Sequence, residues 1–135
     1  RSEKVEHLKN NNFACLVFYD DQKKIQLRIR GATKLEKSKK ESWNKLTNWS
    51  KRFYLTSNPP GQVSDNPTSG FPNKFEKEAP SSDESQKGFE NFTVIKIFID
   101  EIEWLFLASQ GHRRALFKVN RDNSNLSIES KWLVP

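Results

Sequence analysis

The sequence contains no methionine, one cysteine and only five glycines among its 135 residues. Cys15 cannot form a disulfide within the chain, which excludes a disulfide scaffold and is typical of a reducing compartment. No apolar run is long enough for a membrane-spanning helix, and the opening segment is too charged for a signal peptide. We therefore predict a cytoplasmic protein with no membrane partner.

Motifs for several common chemistries are missing from the sequence. It has no HExxH or CxxC motif, no Gly-rich phosphate loop and no GxSxG nucleophile elbow. The two histidines, His7 and His112, lie far apart in the chain. Cys15 is predicted to be buried in the middle of a strand, where a thiol is inert. Metal binding and nucleophilic hydrolysis are therefore not expected.

Aromatic residues and positive charge are abundant by comparison. Aromatic side chains make up 12% of the chain, and 23 basic residues against 17 acidic ones give a net charge of +6. A basic protein attracts phosphate-bearing partners, including nucleic acids. The lysines, however, are scattered among acidic residues, and most aromatics fall in apolar runs, which favours core packing over base stacking. A basic nucleic-acid-binding barrel is therefore retained only as the less favoured alternative.

The apolar pattern predicts a mainly β fold. Alternation and short apolar runs indicate six strands, at residues 13–19, 25–31, 92–99, 102–109, 113–119 and 126–134. Tight polar connections separate the last four strands, including a turn at Asp100 and Glu101. Because closing a sheet removes its exposed edges, we predict one domain over residues 1–135 that forms an antiparallel β-barrel with appended helices.

Two helices and one long loop complete this prediction. A short helix over residues 2–10 begins at Ser2, and a longer one over residues 39–53 begins with a capping box of Ser38 and Glu41. Residues 56–90 hold five of the six prolines, so we predict a long irregular insertion or lid there. Within it, a short helix capped by Ser81 or Ser82 is expected.

Basic and polar residues cluster at predicted strand ends, and they indicate an anionic small-molecule ligand. Arg1 and Lys4 precede the first strand, Gln26 and Arg28 lie on the second, and residues 111–114 read Gly-His-Arg-Arg. A few converging charge-assisted hydrogen bonds suffice for binding a phosphate or carboxylate. The alternative is that these side chains simply face solvent.

The order of several motifs resembles the pyridoxamine 5′-phosphate oxidase family of FMN-binding split barrels. RSEKVEHL and IQLRIRG come first, and NFTVIKIF, EIEWLFL, GHRRALF and a terminal WLVP follow. The resemblance implies an antiparallel split barrel of six or more strands, an FMN cofactor, a homodimer with flavin at the subunit interface, and a small-molecule substrate. It begins partway into the family fold, so the family's first strands are expected to precede Arg1.

The resemblance also implies which residues hold the FMN phosphate. Lys4 matches the basic residue that contacts the phosphate, at the end of a Ser-x-Lys motif that begins at Ser2. The neighbouring basic residue of the family is Glu3 here, and Arg1 is expected to take its place.

Three further residues match positions near the flavin ring and the substrate. Gln26 matches a glutamine that hydrogen-bonds the flavin, and Arg114 matches an arginine that approaches it. His112 matches a histidine that faces the substrate, which makes it the catalytic candidate.

Two departures from the family pattern bear on activity. The family's Arg-x-His-x-Arg motif has Gln110 in place of its first arginine, and Trp132 replaces the arginine before the terminal Leu-x-Pro. Loss of an arginine that can bind phosphate through two hydrogen bonds weakens binding of a substrate phosphate. This argues against oxidation of pyridoxamine 5′-phosphate. The sequence therefore predicts an FMN-binding flavoprotein and an FMN-dependent oxidoreductase, with a catalytically silent flavin-binding or sensor protein as the alternative.

Overall fold

The chain divides into two units, one mainly helical and one built on a sheet. The computed structural model describes residues 2–122 and 125–135. In this description the helical unit comprises residues 2–10 and 35–95, and the sheet unit comprises residues 11–34, 96–122 and 125–135. No helix in these ranges is both long and apolar enough to cross a membrane.

The sheet unit contains most of a five-stranded antiparallel sheet. Its strands are β1 Phe13–Asp20, β2 Ile25–Glu36, β3 Val94–Phe106, β4 Arg113–Asp122 and β5 Asn125–Leu133. They follow one another in the order β1-β2-β3-β4-β5, so that each strand pairs with its neighbour in the sequence. The mainly β class and the first hairpin are confirmed. Six strands closing into a barrel are not seen, because the described strands form an open sheet of five.

The structure has one strand fewer than predicted because two predicted strands, at residues 92–99 and 102–109, form the single strand β3. The acidic residues between them were predicted to form a turn. Asp100 and Glu101 lie inside the continuous strand β3. The Glu101 carboxylate accepts a hydrogen bond from Arg30 on β2 at 2.9 Å, and the Asp100 carboxylate accepts one from Arg121 on β4 at 3.0 Å. Because each carboxylate has a cationic partner on an adjacent strand, the chain has no need to turn into solvent there.

Gly31 allows the backbones of β2 and β3 to approach closely. A Cβ built at Gly31 would lie 2.0 Å from the carbonyl oxygen of Phe98, a distance that no side chain tolerates. The glycine was predicted to end the second strand, whereas β2 continues to Glu36. The absent side chain therefore serves packing between strands rather than a turn.

The two faces of the sheet differ in chemistry. One face carries apolar side chains: the strand register pairs Phe18 with Leu27 and aligns Trp104, Ala115 and Trp132, and Leu27 and Trp104 line one shallow cavity. The Trp104 and Trp132 rings are 6.3 Å apart in an edge-to-face arrangement. Many of the aromatics were predicted to fill a barrel core, yet Phe18 is more than half exposed and Trp132 is 74% exposed. That prediction is wrong for the outer strands, because within the sheet unit this face has no second layer of chain against those residues.

The helical unit is made of short segments. Its helices are α1 Glu3–Asn10, α2 Lys40–Asn44, α3 Asn48–Lys51 and α4 Ser82–Gln86, with 3₁₀ turns at Arg52–Tyr54, Asn73–Glu76 and Phe89–Asn91. The first helix is confirmed. The long helix over residues 39–53 is wrong, because Thr47 is extended and its hydroxyl accepts the Ser50 N–H, which starts a new helix. The Ser38 capping box is also absent, since Lys39 occupies the N-cap without a side-chain bond.

An aromatic cluster around Trp43 forms the core of the helical unit. Trp43 is only 1% exposed, and its ring lies 5.3–5.7 Å from the rings of Tyr54, Phe89 and Phe92. Most of these pairs meet edge to face, the arrangement that the charge distribution of aromatic rings favours. The spacing of Trp43 and Trp49 predicts packing of a helix onto the sheet, whereas the ring contacts of Trp43 lie within the helical unit.

The insertion at residues 56–90 is held to this core by buried cations and a helix cap. Arg52 donates to the carbonyl oxygens of Phe75 and Glu76 at 2.8 and 3.1 Å. Ser81 and Glu84 form the capping box of α4, which confirms Ser81 as the cap. A hydrogen bond from Lys74, with further bonds from Ser81, lowers the pKa of Glu84 to about 2. A lid function for this segment stays a prediction.

Replacing Trp43 by alanine is expected to lower the free energy of unfolding by about 3–5 kcal/mol, because a large buried ring is lost and a cavity is left. Urea denaturation followed by circular dichroism measures the change. Val63→Ala is the control within the same unit, with an expected effect of about 0.5 kcal/mol or less since Val63 is 90% exposed. Equal losses in both variants would contradict the position of the core.

Candidate functional site

A cavity in the helical unit brings together two of the predicted cofactor-binding residues. Its volume is about 270 Å³, and both Ser2 and Lys4 line it. The Ser2 carbonyl accepts the Val5 N–H at 2.9 Å, so Ser2 immediately precedes the first turn of α1 and Lys4 lies within that turn. The start of one short helix thus places Ser2 and Lys4 at the same cavity.

The rest of the cavity wall combines aromatic rings with polar groups. Phe53 and Tyr54 contribute the rings, and Thr56, Asn91 and Thr93 contribute polar side chains. The Asn91 amide donates to the Tyr54 carbonyl at 2.9 Å, which fixes this part of the wall. A cation beside hydroxyl groups is suited to a phosphate, and the adjacent rings are suited to an apolar part of the same ligand.

Lys4 differs from the other lysine of the same helix. Lys9 forms an ion pair with Glu6 at 2.8 Å and does not line the cavity. Lys4 is exposed, and no ion pair ties its ammonium group to another described residue. Of these two lysines, Lys4 is therefore the one available to an anion.

On the sheet unit, a buried carboxylate gathers arginines from the strands on either side of it. Glu103 on β3 is 4% exposed. Its Oε2 accepts a hydrogen bond from Arg114 Nη2 on β4 at 2.7 Å, and its Oε1 lies 3.6 Å from Arg28 Nη1 on β2. Together with Gln26, Arg30 and Glu101, these residues form what we call the charged face of the sheet.

Hydrogen bonding to Arg114 lowers the pKa of Glu103 in spite of its burial, and the charges of Arg114, Arg28 and Arg30 act in the same direction. The carboxylate is therefore ionised at neutral pH. Arg114 Nε is buried and has no hydrogen-bond partner in the described part of the chain. The guanidinium is thus held by Glu103 at the expense of one unsatisfied donor.

The charges on this face do not cancel. Arg30 and Glu101 form a neutral pair at 2.9 Å. Glu103, in contrast, faces both Arg28 and Arg114, which leaves one net positive charge on the three residues. The Arg28 side chain is 42% exposed and that of Arg114 is 32% exposed, so both side chains are accessible to solvent. An anion is the ligand that this arrangement favours.

The remaining predicted residues are distributed as follows. Gln26 is half-buried. It lies two residues before Arg28 and therefore on the same face of β2. His112 is exposed in the turn between β3 and β4, where its carbonyl accepts from the Arg113 guanidinium at 2.9 Å. Arg1 lies outside the described residues. The structure therefore places Gln26 and Arg114 on one face and leaves the catalytic role of His112 a prediction.

Two features of this site were missed in the sequence. Glu103 alternates with apolar neighbours on β3, as an ordinary solvent-facing residue would, and nothing in the pattern signals its burial. Cys15 was predicted to be buried and inert, whereas it is exposed. It pairs with Arg30 across the β1–β2 hairpin, at the edge of the charged face.

The chain was compared with families, curated proteins and solved structures. No family model and no curated protein matches it. A pyridoxamine 5′-phosphate oxidase-related, FMN-binding protein from Nostoc punctiforme PCC 73102 matches 98% of the chain with a TM-score of 0.67 and 17% identity. PhzG from Burkholderia lata 383, solved with tetrahydrophenazine-1-carboxylic acid, matches 99% with a TM-score of 0.64 and 14% identity. The chain has the pyridoxamine 5′-phosphate oxidase-like fold.

This fold is the one that the resemblance of the sequence motifs implied. At such low identity the likeness concerns the fold and not the chemistry. The chain spans 68% of the length of the first of these proteins and 64% of the second, so a third of each lies outside the match.

Replacing Glu103 by glutamine is expected to lower the free energy of unfolding at pH 7 by about 3 kcal/mol, the lower end of the range for broken buried pairs, because both arginines reach solvent. The folded-state pKa of Glu103 lies below its ordinary value of 4.5. Its stabilising effect is therefore complete above about pH 4.5 and is lost as pH falls through the folded pKa.

Chemical denaturation at pH 7 and at several values below 4.5 tests this. The wild-type and Glu103→Gln stabilities should converge in acid. Glu41→Gln serves as control, because the Glu41 carboxylate is exposed and its pair with Lys45 contributes at most about 1 kcal/mol. A constant difference between wild type and Glu103→Gln at all pH values would disprove the assigned role.

Proposed function

We propose that the protein is an FMN-binding flavoprotein that acts as an oxidoreductase on a small molecule. The observation that carries the proposal is the cavity of the helical unit, where Ser2 and Lys4 stand together beside aromatic rings. The fold supports it, since one protein that shares the fold is described as FMN-binding. When bound, FMN supplies hydride or electron transfer through its ring system.

The residues present fit the phosphate end of FMN by their chemistry. A phosphate needs a cation and several hydrogen-bond donors, and Lys4 with the Ser2 hydroxyl supplies both. A charge-assisted hydrogen bond of this kind contributes about 1.5–3 kcal/mol. Lys4 is therefore assigned the phosphate, with Ser2 as a neutral donor and Arg1 as the further cation that the motif resemblance implies.

Gln26 and Arg114 are assigned to the flavin ring on the strength of the motif resemblance. The side-chain amide of Gln26 has both a donor and an acceptor, which suits the alternating carbonyl and N–H groups of the ring edge. Arg114 is held in place by Glu103 and presents a fixed positive charge. A fixed cation near the ring stabilises the negative charge that reduction adds to it.

The proposal includes oxidoreductase activity in addition to FMN binding. Gln110 and Trp132 replace two arginines of the related vitamin oxidases, so the substrate is expected to differ from the vitamin phosphate. His112 is the candidate for orienting the substrate or transferring a proton. Two assays test this activity: reduction of bound FMN by nicotinamide nucleotides, and oxidation of pyridoxamine phosphate or of an aromatic carboxylic acid. If neither reaction occurs, the protein is instead a catalytically silent flavin carrier or sensor.

We also propose a cytoplasmic homodimer. The single cysteine supports the reducing compartment, and the exposed apolar residues of the outer strands support the dimer. Val17 and Tyr19 on β1, and Ile128 and Trp132 on β5, are each more than half exposed. Large exposed apolar patches mark interaction surfaces, and we assign the partner subunit to these strands.

Lys4→Ala is expected to weaken FMN binding about 10- to 100-fold, because one charge-assisted hydrogen bond to the phosphate is lost. The dissociation constant is measured by quenching of flavin fluorescence on titration with the protein. Lys9→Ala is the matched control on the same helix, and it should bind FMN like the wild type. An unchanged constant for Lys4→Ala, or a colourless wild type that does not quench FMN, would refute the proposal.

The dimer is tested by light scattering on a size-exclusion column. The wild type is expected to elute with twice the mass of the chain. Trp132→Ser should shift the equilibrium toward the monomer if β5 contributes to the interface. A monodisperse monomer at concentrations near 100 μM, an order of magnitude at which weak dimers form, would contradict the dimer.

A further inference from the structure

The charged face carries an arginine whose chemistry neither the motif resemblance nor the proposed flavin contacts assign. Arg28 lies on β2 between Gln26 and Arg30, with all three side chains on the same face of the strand. Its guanidinium is 3.6 Å from Glu103, longer than a hydrogen bond, whereas Arg114 makes a bond of 2.7 Å to the same carboxylate. Arg28 is therefore held near Glu103 without having its donors committed to it.

The neighbouring Arg30 has a different environment. It donates to Glu101 at 2.9 Å, and the two charges neutralise each other. Both arginines have almost the same side-chain exposure, 42% for Arg28 and 41% for Arg30. The difference between them is thus one of charge balance: the Arg30–Glu101 pair is neutral, whereas the cluster of Arg28, Glu103 and Arg114 retains a net positive charge.

We infer that Arg28 binds the carboxylate group of a small-molecule ligand, with Glu103 as the positioning residue that holds Arg28 beside Arg114. One surplus charge matches one carboxylate, and the planar fork of an arginine matches the two carboxylate oxygens. Lysine at this position would supply the charge without the fork.

This inference deepens the proposed function and rests on it for the reaction that the ligand undergoes. The binding itself does not depend on FMN. The arginine with which the family binds its substrate is Gln110 in this chain. Arg28, on the charged face, gives the protein a separate means of selecting an anionic substrate.

Isothermal titration calorimetry on the full chain tests the inference with three probes that share one ring system: 2-naphthoate, the neutral 2-naphthamide and 2-naphthyl phosphate. The wild type is expected to bind 2-naphthoate at least tenfold more tightly than 2-naphthamide, since only the carboxylate forms charge-assisted bonds. Arg28→Gln should lose about tenfold or more in affinity for 2-naphthoate and should leave the weak binding of 2-naphthamide unchanged.

Two variants serve as controls. Arg30→Gln, on the same strand and face, should bind 2-naphthoate like the wild type. Arg28→Lys should retain an intermediate affinity, because it keeps the charge and loses the fork. This partial rescue separates ligand binding from a structural role, and the unfolding midpoint of each variant shows that it is folded.

Three outcomes would overturn the inference: equal affinity of Arg28→Gln and wild type for 2-naphthoate, an equal loss in Arg30→Gln, or a larger loss of affinity for 2-naphthyl phosphate than for 2-naphthoate in Arg28→Gln. Titration with FMN in parallel separates this test from the proposed function. A protein that binds FMN but does not prefer 2-naphthoate to 2-naphthamide retains the function and loses the inference. A protein that prefers 2-naphthoate to 2-naphthamide but does not bind FMN retains the inference and loses the proposed function.

Discussion

The burial of the Glu103 carboxylate is the constraint on which the sheet unit depends. An ionised carboxylate that is almost inaccessible to water needs cationic partners, and strands on both sides of β3 supply them through Arg28 and Arg114. Sliding either neighbouring strand by one residue would turn its arginine to the opposite face and leave the carboxylate without that partner. The same interaction that fixes the register therefore also fixes the direction of the arginines proposed to contact ligands.

The helical unit buries positive charge in a different way. Lys39 donates to the carbonyl oxygens of Phe89 and Phe92 at 2.9 and 2.7 Å, and Arg52 donates to two backbone carbonyls while it lies 3.7 Å from the Trp49 ring. These cations contact backbone oxygens and aromatic faces, whereas the arginines of the sheet unit contact carboxylates. They tie irregular segments to the helices, which allows a proline-rich stretch to adopt a defined path.

The sequence allowed the class of fold and the first hairpin to be predicted because residues 25–30 alternate strictly in polarity. The Ser-x-Lys motif of the family resemblance paired Ser2 with Lys4, and both line one cavity because they lie at the start of the same helix. Asp100 and Glu101 misled the strand count because their arginine partners are remote in sequence, at positions 121 and 30. Glu103 could not be found for the same reason. Its burial is a property of three strands together and is not encoded in the pattern of any one of them.

The exposure of Cys15 has a practical consequence. It is the only cysteine of the chain and lies opposite Arg30 in the β1–β2 hairpin, so a thiol-reactive dye would attach at a single position bordering the charged face. An environment-sensitive dye attached there would report the binding of an anion to that surface by a change in its emission. A dye that absorbs outside the flavin bands would keep this signal separate from that of bound flavin. The residue that was expected to be chemically inert is thus the natural point from which to observe the sheet by spectroscopy.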